Sequence, residues 1–232
     1  MIKTIAVFHG SPRKANTHIA AKIFLEELSK HGVVCKEFFL PEALPEFCAG
    51  CQLCFGNPPG KCPHWRHVEP ILDAVTDADA LLFTTPHHGV HSMSACMKNL
   101  LDHLDFLNFT VTPRSEMFRQ KAFIITTGAG SASAAKPIVK GLKNWGVNRV
   151  YSLGLRMFAE KWDKMPTAKQ MKFDKKLRRS ADRFYKVPIG RPYISTIFMF
   201  HMCKFVIKKY VGKGSYPYEY WKENGFFDKR PF

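Results

Sequence analysis

The sequence predicts a doubly wound α/β fold, a parallel sheet with helices on both faces. Three observations carry this reading. Five apolar runs rich in β-branched and aromatic residues occur at 4–8, 33–39, 80–85, 122–127 and 149–153. Helical periodicity separates most of them, over 19–30, 68–76, 93–107 and 134–145. The first run passes through a short polar loop straight into a helix, and a strand–helix alternation of this kind builds parallel sheets.

Residues 2–9 read IKTIAVFH and residues 10–18 read GSPRKANTH. A strand, a tight turn and a helix N-terminus together make an anion site, because the free N–H groups of the first turn and the helix dipole aim at the turn. Gly10 permits the sharp turn. Ser11, Asn16 and Thr17 add donors, and Arg13 offers a planar fork to phosphate. Neither GxxxxGK[ST] nor GxGxxG is present, so a P-loop hydrolase and a Rossmann dinucleotide site are not indicated. The local pattern fits an ordinary strand-to-helix turn with Asn16 or Thr17 as N-cap equally well. The first helix should stop at Gly32, and Gly146 should play the same part after Trp145.

Two segments exceed a five-strand unit. Residues 40–67 lack periodicity and are rich in Pro, Gly and Cys, and a loop of that length in a compact domain is usually functional. Residues 156–232 read as a basic helix, an apolar aromatic stretch and a Tyr/Trp-rich tail. The expected organisation is one ligand-binding domain over 1–155, with the cysteine-rich loop inside it, and a helical extension over 156–232.

Composition bounds the function. The chain has 232 residues, of which 46% are hydrophobic, enough for a sizeable core. No cleavable apolar leader and no apolar run of about 18 residues is found, so a cytoplasmic protein is expected. The cysteines are Cys35, Cys48, Cys51, Cys54, Cys62, Cys96 and Cys203. An odd number without an export signal reads as metal or redox chemistry rather than disulfides. The net charge of +16 is uneven: residues 1–150 carry 16 basic and 12 acidic residues, and residues 151–232 carry 19 and 7. A solvated helix face explains most of this, and no nucleic-acid motif accompanies it.

Cys48, Cys51, Cys54 and Cys62 have the spacing C-x2-C-x2-C-x7-C. Three closely spaced thiolates and a later fourth can wrap an iron–sulfur cube. Zinc also accepts four thiolates, though structural zinc usually takes two separated pairs. A metal-free loop of reactive thiols is the third reading. Cys35 and Cys96 read as buried small hydrophobes.

With these blocks in hand, the chain resembles the flavodoxin-like NAD(P)H-dependent FMN reductases, and within them the iron–sulfur flavoprotein branch. Three segments carry the resemblance: GSPRKANTH, CAGCQLC with Cys62, and TTPHHGVHSMSACMKNLLDHL over residues 84–104. It implies a five-stranded sheet of order 2-1-3-4-5, with FMN as cofactor. Ser11, Arg13, Asn16, Thr17 and His18 would surround its phosphate. Pro86, His87, His88, Gly89 and Val90 would line one side of the isoalloxazine, and Thr127, Gly128, Ala129 and Gly130 would approach its other edge. The cysteine loop would hold a [4Fe-4S] cluster. Where the family usually has an aromatic residue, this chain has His87 and His88, with His91 nearby in place of a small polar residue. These imidazoles read first as flat, hydrogen-bonding wall residues, and second as proton donors or a further metal site. Asp102 matches a helix-end aspartate of structural role.

The resemblance implies an oxidoreductase. Electrons would pass from NAD(P)H or reduced ferredoxin through FMN to the cluster or a quinone. The alternatives are a cluster-free NAD(P)H:quinone or FMN reductase and a non-catalytic flavodoxin-type carrier. A homodimer or higher homo-oligomer is expected. Residues 191–211 place apolar residues on one helical face, for packing on the body or on a partner subunit ahead of membrane-surface contact.

Overall fold

The structure, a computed structural model, describes residues 2–89 and 92–232. Five strands form one parallel sheet in the order β2-β1-β3-β4-β5. They are β1 (Thr4–His9), β2 (Val34–Phe39), β3 (Ala80–Pro86), β4 (Lys121–Thr127) and β5 (Arg149–Leu155). Each lies on a run read from the sequence as a strand. The longer helices are α1 (Asn16–Ser29), α4 (Trp65–Asp77), α5 (Ala95–His103), α6 (Ser131–Asn144), α7 (Thr167–Lys186), α8 (Ile194–Val206) and α9 (Tyr216–Glu223), while α2 (Leu40–Ala43) and α3 (Leu53–Gly56) are single turns. The helix expected over 93–107 is shorter, and its last part is a separate 3₁₀ turn at Asp105–Leu107.

Alternating side chains of the central strands feed two cores, as the period of two in a strand requires. Ala6, Phe8, Leu81, Phe83, Ala122 and Ile124 pack with α4, α5 and α6. Ile5, Val7, Ala80, Leu82, Phe123 and Ile125 pack with α1 and α7. Both faces of β1, β3 and β4 are therefore apolar, and the strands read as continuous hydrophobic runs. The basic helix α7 lies beside α1 as part of the covering layer, with Phe173, Leu177, Ala181 and Phe184 turned inward.

A third core gathers the C-terminal helices. The Phe109 and Phe118 rings stack 5.7 Å apart, and Phe200 of α8 meets both edge-on. Trp221 of α9 stacks on Phe200 at 5.0 Å. Gly146 has φ +94°, and a Cβ there would lie 3.0 Å from the Phe118 ring. That glycine stops α6 and lets the aromatic pair close over the turn.

One buried charge ties the layers together. Lys121, at the start of β4, is 2% exposed. Its ammonium donates to the carbonyls of Phe184, Tyr185 (3.2 Å) and Val187 (2.6 Å) at the end of α7. A cation at a helix C-terminus meets both the unpaired carbonyls and the dipole. Lys121→Met keeps the stem but removes the donors. It is expected to lower unfolding free energy by about 2–4 kcal/mol in chemical denaturation.

Candidate functional site

The register brings three loops to one edge of the sheet. His9 pairs with Thr84, Pro86 with Thr127, and Thr127 with Leu155. The loops leaving β1, β3 and β4 therefore start side by side, at the carboxyl ends where doubly wound folds bind ligands. Hydrogen bonds lock them together. The Gly10 amide donates to Thr84 O at 2.8 Å, and the His87 amide to Thr127 O at 2.8 Å. Ser94, the N-cap of α5, donates from Oγ to Gly10 O at 2.5 Å. A Cβ on Gly10 would sit 2.8 Å from that same Ser94 Oγ, so only glycine permits this approach.

The first loop does not cap its own helix. Ala15, not Asn16 or Thr17, holds the N-cap position of α1, and no side chain bonds the first-turn amides. Asn16 and Thr17 are the first helical residues, and their side chains are engaged elsewhere. Asn16 Nδ2 donates to Ala159 O (3.2 Å) and Glu160 O (3.0 Å) in the loop after β5. Thr17 Oγ1 lies 2.6 Å from Thr127 Oγ1. The first-turn amides thus remain available to an external anion. The buried Asn16 Oδ1 and His18 Nδ1 lack partners, which also fits a polar ligand here. Ser11 Oγ accepts from the Arg13 amide at 3.3 Å and shapes the turn, leaving Arg13 and Lys14 exposed at its rim. A phosphate fits this donor set.

The other expected contacts divide. Pro86 is partly exposed and His88 and Gly89 are exposed, while the His88 amide donates to Ser92 O at 2.9 Å. Val90 and His91 lie outside the described residues. The His87 ring rests on the turn after β4, where a Cβ on Gly130 would fall 2.3 Å from Nε2. A Cβ on Gly128, at φ +120°, would lie 3.2 Å from His87 Cβ. Thr127 is buried with its hydroxyl turned to Thr17, so it braces the first loop from below. Arg156 Nε donates to Ala129 O at 3.3 Å and closes the far side of the same turn.

His9 was not singled out in the sequence, yet it stands under the loop. Its Nε2 lies 2.8 Å from Glu37 Oε2 and its Nδ1 3.1 Å from Thr84 Oγ1. Its ring stacks on Phe39 at 4.6 Å and meets His18 edge-on. Burial lowers the His9 pKa, against the opposing pull of Glu37.

The cysteine loop forms a second centre on the α5 side. Cys48, Cys51, Cys54 and Cys62 line one cavity of about 260 Å³, shared with His64, Asp102 and His103. Between the cysteines the backbone turns left-handed at Gly50 (φ +64°) and Gln52 (φ +57°). Among the described residues Gln52 is the sole non-glycine with positive φ. Buried Asn99 of α5 anchors its entrance. Asn99 Oδ1 accepts from the Cys48 amide at 2.9 Å, and Nδ2 donates to Glu46 O at 2.9 Å and Leu44 O at 3.3 Å. Asp102 pairs with Lys98 through its carboxylate, one turn apart on the exposed side of α5.

Among the described residues, Cys62, His64 and His103 are the group whose ligand atoms all lie within 4.8 Å of one another. No three of the four thiols come that close. His103 Nδ1 donates to Asn99 O at 3.0 Å, which leaves its Nε2 to accept from His64 Nδ1 at 2.9 Å. Burial lowers the His103 pKa. Sequence spacing did not flag Asn99, His64 or His103. A Cys-Pro-His triplet at 62–64 and a polar residue on the apolar face of α5 were the available signals.

Burial, with the neighbouring Cys62 thiol, pushes the Cys54 thiol from 9.0 up to about 11. Burial also raises Cys62, partly offset by the His64 amide. Iodoacetamide at mildly alkaline pH should therefore label exposed Cys48 and Cys51 first, and Cys54 at least about tenfold more slowly, by mass spectrometry. Between pH 9 and 11 the folded Cys54 keeps a proton that the unfolded chain has lost. Its stabilising contribution is thus complete below pH 9 and disappears as pH rises to 11, a decline that denaturation of Cys54→Ala should lack. Asn99→Ala should raise Cys48 labelling several-fold by freeing the loop entrance.

The sequence model of the family described as NADPH-dependent FMN reductase matches residues 3–159. An iron-sulfur flavoprotein of Methanocaldococcus jannaschii is 30% identical over 94 residues, 40% of this chain and 47% of that one. An iron-sulfur flavoprotein of Clostridioides difficile is 34% identical over 89 residues, 37% of this chain and 39% of the other. The chain thus matches less than half the length of these curated relatives. In three dimensions it is similar to an NAD(P)H:quinone oxidoreductase from Methanothermobacter marburgensis, with TM-score 0.65 and 15% identity, over 81% of this chain and 99% of that one. An azoreductase from Bacillus anthracis superposes with TM-score 0.63 and 12% identity, over 78% and 100%. These two likenesses establish the flavodoxin-like fold. With the family match spanning more than half its length, the chain belongs to the NADPH-dependent FMN reductase family.

Proposed function

We propose that the chain is an FMN-dependent oxidoreductase that takes electrons from NAD(P)H or a reduced carrier and passes them to a quinone or a one-electron acceptor. The observation that carries this reading is the uncapped N-terminus of α1, open onto residues 10–15 at the carboxyl edge of the sheet. The first-turn amides, Ser11 and Arg13 would hold the terminal phosphate, with Thr17 fixed beneath them by Thr127. The loops after β3 and β4 would flank the ring, His87 serving as a packed wall against Gly128 and Gly130. Backbone amides near Gly89 and Gly128–Gly130 would face charge gained on reduction. Bound FMN supplies hydride acceptance from a nicotinamide and release of electrons singly or in pairs. The protein's part is to hold, orient and shield, so no side chain is assigned as a catalytic acid or base.

Cys48, Cys51, Cys54 and Cys62 would hold a [4Fe-4S] cluster, which accepts electrons one at a time. What supports it is the C-x2-C-x2-C-x7-C spacing and the one cavity that all four cysteines line. α5 touches both centres, with Ser94 on the first loop and Asn99 at the cysteine loop. One observation favours a second reading of this pocket, a mononuclear zinc on Cys62, His64 and His103. In either case binding must displace thiol protons, so affinity rises with pH.

Arg13→Ala with Thr17→Ala should lower FMN affinity by about a hundredfold or more in fluorescence titration. NAD(P)H oxidation with a quinone should fall with it at limiting flavin. Unchanged retention would contradict the phosphate assignment. Anaerobically prepared protein should contain about four iron and four acid-labile sulfide per chain. One zinc per chain, lost in His103→Ala, would replace the cluster reading with the mononuclear one.

A further inference from the structure

The C-terminal helices bury one side of α8 and leave the other uncovered. Phe200 and Cys203, with Ile207 just beyond, sit in the aromatic core. On the opposite side Ile194 is 86% exposed, Phe198 67% and Phe205 56%, with Met202 exposed beside them. These four fall at i, i+4, i+8 and i+11, which is one face of a helix. Single exposed apolar residues are ordinary, but a continuous row along one helix marks an interaction surface.

The charge along the segment is of one sign. Lys208 and Lys209 are exposed on the turn that follows, Ile207–Val211, and Arg191 is exposed before the helix. Lys209 Nζ lies 5.4 Å from both the Phe205 and the Tyr210 ring centres. Between Asp182 and Glu219 the sequence holds seven basic residues and no acid. α8 spans about 20 Å, short of the roughly 30 Å hydrocarbon core. No helix among the described residues is long and apolar enough to cross a membrane. A helix of this kind lies in the interface.

Two occupants suit an apolar face, a second copy of the chain or a lipid surface. A twofold contact through this face would set Lys208 and Lys209 against their own copies if parallel, or against Arg191 of the copy if antiparallel, with no acid on the segment to answer them. An anionic bilayer answers both features, taking the apolar row at the acyl boundary and the lysines at the headgroups. We propose that α8 and the turn after it form a monotopic anchor for anionic membrane surfaces. Phe198, Met202 and Phe205 enter the interface, and Lys208 and Lys209 meet the headgroup phosphates. The proposal is independent of the redox reading, because none of these residues belongs to either centre.

Flotation with phosphatidylcholine vesicles, with and without phosphatidylglycerol, tests it on the full chain. The wild type should bind only the phosphatidylglycerol-containing vesicles, and should release in high salt. Phe198→Ser with Phe205→Ser, and separately Lys208→Gln with Lys209→Gln, should each weaken binding by about thirtyfold. All four side chains are exposed, so circular dichroism should show both variants folded. Absence of wild-type binding to the anionic vesicles would overturn the anchor. So would binding that survives both pairs of substitutions. A wild-type dimer in sedimentation equilibrium that the serine pair converts to monomer would overturn it too, by assigning the face to a second copy.

Discussion

The functional edge depends on one constraint: five parallel strands end together, and the helix after the first begins there without a cap of its own. A parallel sheet sends every crossover back over its faces, so all its strand-to-helix turns open at the same rim. In α1 the N-cap position is held by Ala15, which has no polar atom to offer. The residues that could have capped the helix, Asn16 and Thr17, instead reach across to the loop after β5 and to Thr127. The structure thus spends its capping side chains on fixing neighbouring loops and leaves the backbone donors for an anion. Glycine at position 10 is the steric counterpart, since Ser94 Oγ occupies the space a side chain would need.

α5 connects the turn after β1 with the cysteine loop. Its N-cap Ser94 bonds the first loop, and five residues on Asn99 bonds the entrance to the cysteine loop. Ser94 and Asp102 are eight residues apart, about 12 Å along the axis. A single rigid helix therefore sets the spacing between the turn after β1 and the thiol cavity. Loss of either anchor would shift one centre against the other without touching any ligand-binding atom.

Much of this was legible in the sequence, and the remainder was hidden for physical reasons. The strands declared themselves because both sheet faces are buried, so Ile5–Phe8 and Leu81–Phe83 are apolar without interruption. The cysteine loop declared itself through spacing. What the sequence concealed depends on contacts between distant positions. Lys121 looks like any strand-edge lysine until α7 brings three carbonyls to it, more than sixty residues later. Asn99 acquires its role only when Cys48 lies across it, and His103 only when His64 does. The N-cap was misplaced by a residue or two because Asn16 and Thr17 are favoured at such positions locally, whereas tertiary partners claimed both. The sequence places Ile194, Ile197, Phe198, Met202, Phe205 and Val206 on one apolar face of α8, and four of these are exposed. Only packing divides it into a buried side, on Trp221 and Phe109, and an exposed one.

In the proposed function, the uncapped turn after β1 recognises a phosphate monoester on a flavin. Parallel titrations of the purified protein with FMN and with riboflavin test it most directly, since the two ligands share the ring and differ in the phosphate. FMN should bind at least about a hundredfold more tightly, with the difference shrinking as salt is raised or Arg13 is removed. Equal affinity for the two flavins would contradict it.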